Sequence, residues 1–231
     1  MPAFRIPSSR SAGANLNFGV VADVSGGRGA YIHNRSFSTD PSIVSDHVAV
    51  AVGARMEGVA QTLKHFPGHG LVFADTHKEV PLSSISLPEW RNTHATPFVA
   101  GISGGVELVM MAHIRVSSVS KDPASLSNEW VDILRNELGF EGVVVTDDLR
   151  LLQNSGEPAY EDPAATVVAA LVAGNDVLLL AVDPSRSPGY SVYDDVLDAL
   201  VASVESGVVS LEQVERSLER VLALRYQLRH S

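Results

Sequence analysis

Ala60-Gln61-Thr62-Leu63-Lys64-His65-Phe66 runs without a break into Pro67-Gly68-His69-Gly70, and Asp75-Thr76-His77 follows after Leu71–Ala74. The first seven residues read as a short strand bounded by turn formers. The strand therefore hands a lysine and a histidine to its own C-terminal end, and the loop beyond adds two more histidines and an aspartate. Histidine exchanges protons near neutrality, and Pro67, Gly68 and Gly70 predict a loop of fixed shape. This concentration of acid–base groups at one strand end predicts a site as well as a fold.

The same pattern repeats on either side. Upstream, Leu16–Val24 is an apolar run ending near Asp23, and Asp40-Pro41 predicts a helix start that carries the chain to about Glu57. Downstream, Ser86–Gly101 reads as a helix, Val106–His113 (VELVMMAH) as a strand, and Ser127–Leu138 as a helix stopped by Gly139. Gly142–Thr146 (GVVVT) is a strand that delivers Asp147-Asp148, Ala164–Ala173 a helix, and Asp176–Ala181 (DVLLLA) a fifth strand. Helices over Tyr193–Glu205 and Leu211–Leu228 close the chain. Continuous apolar strands alternating with helices predict a parallel sheet covered by helices, an α/β fold. Asp23, His65, His113 and Asp147 all fall at strand C-termini, the edge that carries the active site in a parallel (β/α) barrel of the TIM type. Five strands are fewer than the eight of a closed barrel, so the expected barrel is incomplete.

Composition narrows the function. The 231 residues are 45% hydrophobic and 19% charged, suited to a packed core, with a formal net charge of −10. That charge argues against nucleic-acid binding, and no basic run suits a membrane surface. Cysteine is absent, which removes disulfides and thiolate metal sites. No apolar run is long enough for a signal peptide or membrane span, and the expected location is cytoplasmic. Residues 1–14 read as an irregular lead and 15–231 as one barrel-type domain.

In Asp75-Thr76-His77 the carboxylate can hold one imidazole nitrogen and leave the other to protonate a leaving group and later activate water. A solvent-facing histidine capping a turn is the plain alternative. Lys64 and His65 can donate to sugar hydroxyls or phosphate oxygens, or be a surface charge and a satisfied core histidine. His69 between two glycines suits a backbone-holding role. Asp147 follows the strand directly and can attack an anomeric carbon, as in retaining glycoside hydrolysis, or serve as a metal ligand or helix cap. Period-two alternation turns Asp147 inward and Asp148 away. His65, His69, Asp75 and His77 also admit a divalent-metal reading, although their spacing matches no zinc pattern. No Walker or G-x-S-x-G motif is present.

KHFPGHG with D-T-H behind it, then VMMAH, PASLS and LRNELGFEGVVVTDDL, resembles the N-terminal catalytic domain of glycoside hydrolase family 3, nearest its β-N-acetylhexosaminidase branch. The resemblance runs from about Leu16 to the C-terminus. It implies an exo-acting retaining β-N-acetylhexosaminidase for terminal N-acetyl-β-glucosaminides, with Asp147 as nucleophile, His77 as acid/base oriented by Asp75, and Arg35, Lys64, His65 and His113 as substrate-binding residues. His113 is expected at the rim of the site. The resemblance implies no metal and no organic cofactor, and a small carbohydrate as the substrate partner.

One departure stands at the front. The family places about two further β/α units before the strand matching Leu16–Val24, one with a D-Q-E-G-G-R-type sugar-binding segment that this sequence lacks. Gly26-Gly27-Arg28 follows the wrong strand to replace it. A barrel without its first strands has an open edge, which predicts possible self-association there. A catalytically impaired member that acts as a carbohydrate-binding or interaction protein is the first alternative. A β-glucosidase-type hydrolase is the second, and water versus phosphate as acceptor stays open.

Overall fold

A computed structural model of the chain describes residues 13–54, 58–183, 185 and 189–230. The irregular lead falls mostly outside these residues, as does the end of the first helix expected near Glu57. Strands β1 (Leu16–Val21), β2 (Ala60–Phe66), β4 (Leu108–Met111) and β6 (Val143–Thr146) form one parallel sheet in the order β1-β2-β4-β6. A second, two-stranded parallel sheet, which the sequence reading did not anticipate, pairs β3 (Leu82–Ser83) with β5 (Arg115–Val116). Helix α1 (Pro41–Gly53) starts as its sequence predicts, with Pro41 in the first turn and the Asp40 carboxylate accepting from Ser42 N–H at 2.8 Å.

Two expected elements differ. The helix expected over Ser86–Gly101 is two helices, α2 (Leu87–Asn92) and α3 (Thr96–Ser103). The break falls at Thr93, whose φ of −127° and ψ of −81° leave the helical region, and Pro97 lies in the first turn of α3, where its missing N–H has no helical partner to lose. The strand expected over Asp176–Ala181 is a single parallel bridge, Val145 to Val177. It lies beside β6, with Thr146 N–H donating to Val177 O at 3.0 Å. The ladder then fails because side chains take the next donors: Leu179 N–H goes to Thr146 Oγ1 and Ala181 N–H to Asp148 Oδ1, each at 2.9 Å. The helix after Ser127 begins as α4 (Asn128–Asp132) and ends in a π-turn over Ile133–Glu137.

The two faces of the main sheet carry different cores. On one face α1, α3 and α4 pack over Leu63, Phe66, Val109, Met111 and Val144. Its centre is an aromatic cluster in which Phe66 sits edge-on to Trp90, Phe98 and Trp130, with ring centroids 5.8, 5.2 and 5.6 Å apart. All four rings are fully buried, and truncating any one to alanine costs about 3–5 kcal/mol. On the other face Ala60, Leu108, Met110, Val143 and Val145 meet Val221, Leu224 and Leu228 of the C-terminal helix. The remaining helices are α5 (Arg150–Gln153), α6 (Pro163–Val172), α7 (Val192–Glu205) and α8 (Leu211–His230). The fully buried carboxylate of Asp176 fastens α8, accepting from Ser217 Oγ at 2.8 Å and Arg220 Nη1 at 2.9 Å while Arg135 Nη2 donates at 2.6 Å. Among the described residues no helix is long and apolar enough to cross a membrane.

Candidate active site

The pairing of β2 with β4 slips between Leu63 and Phe66, and the strict alternation of side chains breaks there. Leu63 and Phe66 both enter the helix-covered core, whereas Lys64 and His65 lie with the charged groups at the strand ends. His65 is buried and its Nδ1 donates to Asp23 Oδ2 at 2.8 Å, since a carboxylate can only accept. Nε2 is left as an acceptor and faces Arg35 Nη2 at 3.5 Å. Asp23 also accepts from His65 N–H at 3.2 Å and His69 N–H at 2.5 Å. Burial opposes the Asp23 charge, but the His65 ring and these donors outweigh it and hold its pKa below the ordinary aspartate value.

Asp147 continues the inward row of Val143 and Val145, the face set by the two-residue period of a strand. Its Oδ1 accepts from Asp148 N–H at 2.9 Å. Burial again opposes the charge, but the His65 and His113 rings when protonated, this amide and Lys64 together outweigh it, so the Asp147 pKa is depressed. The carboxylate is thus ionised at neutral pH. Lys64 is half-buried, and burial together with nearby Arg35 lowers its pKa against the pull of Asp147 and Asp23. Asp148 turns away and does the capping, with Oδ1 accepting from Arg150 N–H at 3.1 Å and from Ala181 N–H.

His113 corrects the sequence reading. It lies buried beneath the strand ends rather than at a rim, and both ring nitrogens are engaged within the protein. Nε2–H donates to Asp148 O at 2.9 Å, so Nδ1 accepts from Ser125 Oγ at 2.7 Å. Burial lowers its pKa and keeps the ring neutral. With both ring nitrogens engaged, it supports the Asp147-Asp148 turn.

The loop after β2 is locked to the loop after β1. Gly70 packs against the backbone there: a Cβ on it would stand 1.6 Å from Val24 O, so only glycine fits. Buried Thr76, between Asp75 and His77, pairs through Oγ1 with His69 Nε2 at 3.2 Å. Asp75 Oδ1 accepts from His77 Nδ1 at 2.7 Å and from His77 N–H at 3.0 Å. Burial is the largest single influence and raises the Asp75 pKa, but the two bonds from His77 with the charges of His77 and Lys78 together outweigh it, and the net direction is down. Ring contacts lead from His77 to Tyr31 (5.6 Å), Tyr31 to His69 (5.7 Å) and His69 to His65 (5.7 Å).

Asp147, Lys64, His65 and Arg35 therefore share one electrostatic neighbourhood, and Asp75 and His77 form a separate pair on the loop after β2. Among the described residues no hydrogen bond joins His77 to Asp147. Among the described residues no group of three or more His, Cys, Asp or Glu side chains stands where it could hold a metal ion. His65 is committed to Asp23, while Asp75 and His77 face each other on the exposed part of the loop. Two contributors escaped the sequence reading. Asp23 was visible as a polar strand end, but nothing local announced its hold on His65. Tyr31 carried no spacing signal at all.

The Glycosyl hydrolase family 3 N terminal domain matches residues 8–224. A beta-hexosaminidase of Stenotrophomonas maltophilia is 44% identical over 173 residues, 74% of this chain and 50% of that protein. One from Xylella fastidiosa is 40% identical over the same length, again 50% of that protein. The chain thus spans about half the length of the curated relatives it matches. Among solved structures, a glycoside hydrolase family 3 beta-N-acetylglucosaminidase from Paenibacillus sp. str. FPU-7 superposes with a TM-score of 0.86 at 34% identity, covering 95% of this chain and 41% of that one.

Proposed function

The chain belongs to glycoside hydrolase family 3, and from that premise we propose that it is a retaining β-N-acetylhexosaminidase acting on terminal N-acetyl-β-glucosaminides. The observation that carries the reading is Asp147: an ionised carboxylate at a strand end, beside Lys64 and His65. In the first step an Asp147 oxygen forms a bond to the anomeric carbon while the bond to the leaving oxygen breaks, and that oxygen takes a proton from His77. Asp75 holds Nδ1, so Nε2 is the nitrogen that delivers it. In the second step a water gives its proton back to His77 and attacks the same carbon, and Asp147 leaves as carboxylate. Arg35, Lys64 and His65 Nε2, which faces Arg35, bind sugar hydroxyls. Asp23 and His113 hold these groups in place without touching sugar.

The test is turnover of an aryl N-acetyl-β-glucosaminide by the purified chain. Asp147→Asn, which keeps the shape and removes the charge, is expected to abolish it. A folded wild-type protein that is silent, or an Asp147→Asn variant that keeps its rate, overturns the reading. Faster turnover of the aryl glucoside would move the assignment to the β-glucosidase type. We read the sheet as an arc of a (β/α) barrel in which β1 is an outer strand, and propose that this edge is covered by a second copy of the chain. A monomer by light scattering at working concentration rejects the second copy.

A further inference from the structure

An acid–base pair built on one exposed loop has a geometric weakness. Asp75 and His77 are two residues apart, so the bond between them fixes each relative to the other and neither relative to the sheet. Delivering a proton to a sugar bound over Asp147 needs a contact from a different segment, because an error of about 1 Å at the reacting atoms costs on the order of 100-fold in rate. Thr76 supplies one anchor through His69, but it tethers the loop and leaves the imidazole free to swing.

The second anchor is Tyr31. Its hydroxyl oxygen lies 3.4 Å from His77 Nδ1, sharing the proton whose main acceptor is Asp75, and its ring is tilted against that of His77. Tyr31 N–H donates to Phe73 O at 3.1 Å, stitching the two loops by their backbones. Four residues later the same segment presents Arg35, on a turn pinned by Ser25 Oγ and His33 Nδ1 at 2.8 Å. Tyr31 is 41% exposed, so it is not there to fill the core. We propose that Tyr31 is a positioning residue that aims the His77 imidazole and couples the Arg35 arm to the acid–base arm.

This rests on the reading of His77 as the acid/base, and the experiment separates the two. Wild type, Tyr31→Phe and Tyr31→Ala are compared on a 2,4-dinitrophenyl N-acetyl-β-glucosaminide, whose leaving group departs without a proton, and on a phenyl N-acetyl-β-glucosaminide, whose leaving group needs one. Tyr31→Ala is expected to lower kcat/KM on the phenyl substrate about tenfold and to leave kcat/KM on the dinitrophenyl substrate within about twofold, since kcat/KM reports the first step alone while the second step uses His77 as base with either substrate. Tyr31→Phe keeps the ring and is expected to show a smaller loss, about threefold, again confined to the phenyl substrate, so the test stands where the alanine variant does not fold. Equal losses of kcat/KM on both substrates, or none on either, overturn the proposal while leaving the hydrolase reading intact. A wild-type protein silent on both overturns the two together.

Discussion

Two carboxylate–imidazole pairs of almost the same length sit in the two loops that build the site. Asp23–His65 measures 2.8 Å with side chains 0% and 5% exposed, and Asp75–His77 measures 2.7 Å with side chains 23% and 51% exposed. The contact is one and the same, yet its worth differs with the surroundings. In the buried pair each partner would be left as an unsatisfied polar group if the other were lost, and Asp23 holds two backbone N–H groups besides. The exposed pair has water as a ready substitute and contributes little to stability, but it is free to exchange protons. Burial makes the first pair scaffold, and exposure leaves the second open to the acid–base role proposed for it.

The largest effect that can break this comparison comes from Asp23→Ala. It is expected to cost about 3–5 kcal/mol in urea unfolding and to abolish turnover, since it frees His65 and the His69 amide together. A variant as stable as wild type would show that the buried pair is not scaffold. Next, Asp75→Asn is expected to reduce kcat by about 100-fold or more while the thermal midpoint stays put. If it unfolds the protein as Asp23→Ala does, the two pairs are alike after all.

The smallest effect sharpens the contrast through pH. Burial lowers the pKa values of His69, His94 and His113, so between those values and about 6.5 the unfolded chain binds more protons than the folded one. Stability is therefore greatest above about 6.5 and falls as the pH drops below it. Asp23, depressed in the folded state, adds stability that is complete above its ordinary value of about 3.9 and is lost only as the pH falls through its lower folded value. A urea midpoint that declines between pH 7 and 5, followed by a second decline in strong acid, is the expected profile. His113→Gln should shrink the first decline, and a flat midpoint from pH 8 to 5 would refute the buried neutral imidazoles.

Local pattern carried much of this molecule. Apolar runs between turn formers located β1, β2, β4 and β6, and the two-residue period separated Asp147 from Asp148, because backbone geometry sets such relations within a few residues. The same holds for Asp75 and His77, whose contact spans only one intervening residue. What spacing could not reveal lies between segments distant in the chain: Asp23 with His65, Tyr31 with His77, and His113 with the Asp148 carbonyl. His113 shows the limit well, since its place after a strand marked it for the site while the packing around it took both nitrogens. Asp176–Ala181 shows it again, as a strand-like sequence whose ladder partners were claimed by Thr146 and Asp148 side chains. Sequence alone determined which residues reach the strand ends. Tertiary structure decided which of them stay available for chemistry, because availability depends on what the neighbouring loops leave unpaired and exposed to water.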